Sequence, residues 1–141
     1  MSKNYTITMD ELLKTQIPTY VKSIHIHQLT PITNEPDLIK IQKIFKDLNK
    51  KNITITFHAH TLKNLNNLLD YLTSVFIYLN TSDDFSEFLD FDNHINIDET
   101  KNKHMWLYVN GNNNINIDGI TPFELPLAYH IVTYYPTKNN T

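Results

Sequence analysis

Polar and apolar positions alternate over Lys51–His60, where Ile53, Ile55, Phe57 and Ala59 fall on one side and Thr54, Thr56, His58 and His60 on the other. A period of two is that of a half-buried strand. Tyr20–Leu29 repeats the pattern, with Ile24 and Ile26 opposed to Ser23, His25 and His27. Two strands therefore carry a His-x-His pair on their polar side. Ahead of them, Tyr5–Ile7 predicts a short strand and Thr8–Glu11 a capping box that opens a short helix, which Pro18 ends. Between them, Pro36 suits the first turn of a helix reaching about Asn49, with Leu38, Ile41, Ile44, Phe45 and Leu48 as its apolar stripe.

Beyond His60 the period changes. Leu62, Leu65, Leu68, Leu69, Leu72, Val75, Phe76 and Leu79 recur at three-to-four spacing, predicting the longest helix of the chain, capped by Thr61 and devoted to core packing. Ser82 would cap a short acidic helix, Asp83–Asp90, that buries Phe85, Phe88 and Leu89. Strands are predicted near 94–98, 103–109 and 113–118. A three-residue hairpin loop, Val109–Gly111 with Gly111 left-handed, aligns Met105 and Leu107 with Ile115 and Ile117. It places His104, Trp106 and Tyr108 on the polar face with Asn114 and Asn116. Thr121–Glu124 is a second capping box cut short by Pro126, and Leu127–Tyr135 suits either helix or strand. A frayed tail is expected at 136–141.

This order predicts an α/β (α+β) fold: residues 1–141 as one domain, a two-layer sandwich with a mixed sheet of about five strands and helices packed on one face. Strands 20–29 and 53–60, joined by a helix, would be parallel through a right-handed crossover. Both His-x-His pairs would then lie at carboxyl ends, where open α/β sheets place ligands.

Composition narrows the chemistry. Forty per cent hydrophobic and 19% charged residues suit a folded, soluble chain, and Met1–Tyr5 lacks the apolar stretch of a secretory signal, so a cytoplasmic location and no membrane contact are expected. The absence of cysteine excludes disulfides and thiolate chemistry, and all 12 basic residues are lysines, which removes bidentate phosphate clamps. With a formal charge of −3 and no basic cluster beyond Lys50-Lys51 and Lys101-Asn102-Lys103, nucleic acid is not an expected partner. Two glycines furnish no dinucleotide-binding fingerprint. Abundant Asn, Ile, Lys and Tyr suggest AT-rich coding, as in low-GC bacteria, their phages and some large viruses.

Three constellations remain. His25, His27, His58 and His60 would converge from adjacent strands on a divalent transition metal such as zinc, whose bound water would act as nucleophile. Phe57-His58-Ala59-His60-Thr61 resembles the His-x-His strand end of metal-dependent phosphoesterases of the polymerase-and-histidinol-phosphatase type, which implies phosphoester hydrolysis. The resemblance covers only those residues; the chain is too short for that family's barrel and lacks its further ordered ligands. Thr54, Thr56, His58, His104, Trp106 and Tyr108 form an aromatic, hydroxyl-rich platform suited to a protein partner. Asp83, Asp84, Glu87 and Asp90, followed by Asp92, Asp98 and Glu99, would meet a basic partner. The leading expectation is a small non-enzymatic intracellular binding protein without cofactor: an inhibitor, immunity factor or adaptor of phage, viral or mobile-element type, in the cytoplasm of a bacterial or virus-infected cell. A metal-dependent hydrolase is the alternative.

Overall fold

A computed structural model describes residues 4–94, 103–113 and 129–135. Among these residues six strands form one sheet whose order across the sheet is the order along the chain, and every neighbouring pair is parallel. They are β1 (Asn4–Thr8), β2 (Ser23–Gln28), β3 (Thr54–Ala59), β4 (Ser74–Leu79), β5 (His104–Asn110) and β6 (Tyr129–Tyr134). The α/β class holds, with a wholly parallel sheet in place of the expected mixed one. Strands recur roughly every 20–30 residues and each adds to the same edge, the one-dimensional logic of a solenoid.

The connections carry the helices. Thr8 caps α1 (Met9–Leu12): its Oγ1 accepts from Glu11 N at 3.2 Å, and Glu11 Oε1 accepts from Thr8 N at 3.2 Å, the reciprocal pair that the sequence predicts. Asn34 opens α2 (Glu35–Lys50) by accepting from Asp37 N at 2.9 Å. The helix ends on Asn52 at φ 59°, with Asn52 N donating to Asn49 O and Ile53 N to Leu48 O, both at 3.0 Å. That left-handed stop turns the chain directly into β3.

The long leucine helix does not form. Leu65–Asn67 and Leu69–Tyr71 are 3₁₀ turns, and Ser74–Leu79 is β4, with Val75, Ile77 and Leu79 buried and Phe76 and Tyr78 facing the other way. Leu65, Leu68, Leu69 and Leu72 do reach the core, but from a turn that begins at Asn64, whose φ of 64° an α-helix running on from Leu62 cannot contain. Nor does the hairpin form. Both edges of β5 are taken by parallel neighbours, β4 and β6, so no antiparallel return strand can pair with it. Gly111 instead begins a 3₁₀ turn, Gly111–Asn113, without positive φ. Tyr135's ring occupies the space a β-carbon there would need. Tyr129–Tyr134 is a strand; the strands expected near 94–98 and 113–118, and the capping box Thr121–Glu124, lie outside the described residues.

α3 (Ser82–Asn93) completes the helical side, capped by Thr81 rather than Ser82: Thr81 Oγ1 accepts from Asp84 N at 3.1 Å. Its Phe88 and Phe91 join the core with Phe45, Ile55, Phe57, Val75 and Ile77. Every described helix and 3₁₀ turn from α1 to α3 that enters this core does so on the face carrying Ile24, Ile55 and Ile77. Replacing Ile77, fully buried on β4, by Ala should cost about 2–5 kcal/mol in urea unfolding, while Ser74→Ala, on the outward side, should stay within about 0.5 kcal/mol.

Candidate functional site: the open face of the sheet

The outward side chains lie in rows set by the register. One row runs Thr6, His25, Thr56, Ser74, His104; the next runs Thr8, His27, His58, Phe76, Trp106. A third places Tyr78 beside Tyr108, with His60 prolonging β3 toward Tyr78. In a parallel sheet such neighbours stand about 4.8 Å apart, which is the distance at which flat rings stack.

They do stack. His27 lies on His58 at 4.1 Å between ring centroids and 7° between planes, His58 on Phe76 at 4.9 Å and 10°, and Phe76 on Trp106 at 5.8 Å and 13°. His60 lies on Tyr78 at 4.4 Å and 6°, and Tyr78 tilts against Tyr108 and meets Tyr134 edge-on. Each such pair adds about 0.5–1.5 kcal/mol beyond area burial. Because the rings spend their faces on one another, they present edges, ring nitrogens and phenol oxygens to the outside.

Hydrogen bonds join the rows. His25 Nδ1 and His58 Nε2 are 3.0 Å apart, His58 Nδ1 and Tyr78 Oη 3.0 Å, and His27 Nδ1 and His60 Nε2 3.5 Å. Burial lowers the His58 pKa from its ordinary value of 6.5 to about 4, helped by the charges His27, His25 and His60 would carry. Burial also lowers His27, with a contribution from His25, and His60, with one from His27. Tyr78 is raised by burial, then by Tyr108 and Tyr134, so the phenol stays protonated. The imidazoles of His27, His58 and His60 are therefore held neutral near pH 7.

The structure brings together His25, His27, His58, His60, Trp106 and Tyr108, and puts exposed His104 at the foot of the same face. It adds Phe76, Tyr78 and Tyr134, which sequence reasoning missed. Period-two alternation in Ser-Val-Phe-Ile-Tyr-Leu was the available signal for the first two. Among the described residues no group of three or more His, Cys, Asp and Glu side chains is placed to hold an ion. The imidazoles bond to one another and to Tyr78 instead, with no carboxylate in the set.

The acidic residues belong elsewhere. Phe88 and Phe91 anchor α3 on the core side of the sheet, and Glu87 and Asp90 line a cleft of about 520 Å³ there with Lys63, Leu62 and Pro31. Asp83 stands exposed in the first turn of α3. Asp84 is structural: its Oδ2 accepts from Asn80 N at 2.9 Å and Thr81 N at 3.0 Å. Nearby, Asn80 Oδ1 accepts from Tyr134 Oη and, at 3.5 Å, from Asn110 Nδ2, tying β4, β5 and β6 together at their carboxyl ends. Asp84→Ala should therefore cost about 1–2 kcal/mol in chemical unfolding, and Asp83→Ala within about 0.5 kcal/mol.

No described helix is long and apolar enough to cross a membrane. No family model, curated protein or solved structure matches the chain, which leaves the geometry of the open face as the ground for a function.

Proposed function

We propose that the chain is a small protein-binding module, an inhibitor or adaptor acting inside the cell by contact, and that the open face of the sheet is its contact surface. The observation that carries this reading is a wholly parallel sheet with one face left uncovered by any described element. Such sheets almost always have both faces covered, and solenoids use their extended faces for recognition. Here the uncovered face holds His58, Phe76, Tyr78, Trp106 and Tyr108, all half-buried, in the aromatic composition of interface centres.

The ring geometry favours protein over other partners. Bases and sugar rings dock on aromatic faces, and here those faces are spent on neighbouring rings. Phosphates need cations, and among the described residues facing outward from β1 to β6 there is no lysine. There is no Asp or Glu either. A charge buried against such a face would lose hydration without compensation, so the docked surface is itself uncharged at its centre.

Comparative affinity capture from the source cell tests the assignment. A specific partner should be retained by the wild type and by an Asp83→Lys/Glu87→Lys variant, and lost, by at least about tenfold in affinity, with Trp106→Ser or Tyr108→Ser. Retention by the two aromatic variants and loss by the charge-reversed one would move the contact surface to α3.

A further inference from the structure

Four imidazoles meet across the seam between β2 and β3, and their hydrogen bonds have room for fewer protons than four imidazolium rings carry. A neutral imidazole has one N–H and one lone pair, so each nitrogen–nitrogen contact holds a single proton between two acceptors. Along the chain Tyr78–His58–His25, the phenol O–H donates to His58 Nδ1 and His58 Nε2–H donates to His25 Nδ1; the reverse polarity serves equally. His27 and His60 form the second pair. A proton on both members of a pair turns N–H···N into two N–H groups pointed at each other. The 4.1 Å stack of His27 on His58 then sets charged rings face to face.

Among the described residues nothing around the seam offers a counter-charge. β1 contributes Thr6 and Thr8 in register with His25 and His27. β4 contributes Phe76 and Tyr78, β5 contributes His104, Trp106 and Tyr108, and β6 contributes Tyr134. The Asp84 carboxylate near Tyr134 is already shared by the backbone amides of Asn80 and Thr81. The stacked arrangement therefore resists a second proton in either pair, and its burial and stacked rings work against the first, whereas rings swung out into water accept protons at ordinary values. Acid selects the swung-out arrangement, and each ring that leaves the stack removes partners from the others.

We propose that this imidazole seam is a proton-operated switch on the docking face: stacked and uncharged at neutral pH, it opens on acidification into a cluster of like charges. It rests on the docking reading for its use, and a partner covering the stacked rings competes with protons for the face.

The test needs only the chain, in chelator-containing buffer. Imidazole nitrogen signals and the emission of Trp106, the sole tryptophan, are followed from about pH 7.5 to about pH 3.5, with the amide signals of Ile55 and Val75 reporting the sheet. Expected are coincident transitions between the ordinary imidazole value of 6.5 and about 4, with a slope above one proton and the sheet signals intact. Linkage gives the sign for stability: the unfolded chain takes up protons first. The folding equilibrium constant is therefore level above 6.5 and falls, by about tenfold or more, as pH drops toward 4.

His58→Phe keeps a ring between His27 and Phe76 but removes the proton shared with His25 and the chargeable ring stacked on His27, so the slope of the transition should fall toward one proton. Should that variant fail to fold, His27→Phe tests the same coupling. Independent single-proton titrations in the wild type, an unchanged slope in the variant, or loss of the sheet signals in the same step would overturn the switch. The outcome separates from the docking reading. A coupled titration without a captured partner keeps the switch and removes the docking, and a captured partner with independent titrations does the reverse.

Discussion

Everything on this molecule follows from one constraint: each new strand joins the sheet on the same side, parallel to the last. A right-handed crossover that always advances in one direction puts its connection on the same face each time. α1, α2, the 3₁₀ turns and α3 therefore share a core with Ile24, Ile55, Phe57 and Ile77, and no described connection crosses to the other side. Among the described residues, the half of each strand that faces away from the helices is left to be satisfied by its own neighbours.

Those neighbours satisfy it by stacking. Parallel register repeats the same lateral offset at every strand, so an aromatic at one position meets an aromatic at the equivalent position next door, and a ladder of rings is the natural filling. The ladder changes character across the sheet: imidazoles at β2 and β3, phenyl and phenol at β4, indole and phenol at β5. The rings bury one another enough to keep His58 neutral well below the usual imidazole range while leaving their edges accessible. The open face thus combines apolar contact with polar edges, without a lysine or carboxylate among its described outward residues.

Much of this was legible in particular residues. The period-two runs around Ile24 and Ile55 and the stripe from Leu38 to Leu48 specify β2, β3 and α2, because each is a local pattern backed by local caps at Asn34 and Asn52. The segment 62–79 misleads because Leu65, Leu68, Leu69 and Leu72 satisfy helical spacing while serving tight turns. The β-branched and aromatic run that follows then reads as the helix's continuation, and Phe76 and Tyr78 vanish from the candidate site. Asn110-Gly111 misleads in another way. The dipeptide favours a hairpin locally, but the pairing of β5 is settled by β4 and β6, which are distant in sequence. A recurring spacing, Val21-x-x-Ile24-x-Ile26 and Leu72-x-x-Val75-x-Ile77, carries the strand repeat and was the signal for parallel order.

The placement of the histidines separates two roles that share a sequence signature. A His-x-His strand suits a metal when the imidazole lone pairs converge on a point with carboxylates or water to complete the shell. Here His25 Nδ1, His27 Nδ1, both His58 nitrogens and His60 Nε2 are turned along the sheet, toward the next ring's nitrogen or Tyr78, so the same spacing yields lateral hydrogen bonds. Phenylalanine at those positions would stack as well but could not bond sideways, and lysine could donate a hydrogen bond but neither stack nor accept one. Imidazole is the side chain that is at once a flat ring, a hydrogen-bond relay and a group that acid can charge. Its concentration on two adjacent strands gives the face one half that responds to protons beside another, at β4 and β5, whose stacked rings carry only phenol, phenyl and indole.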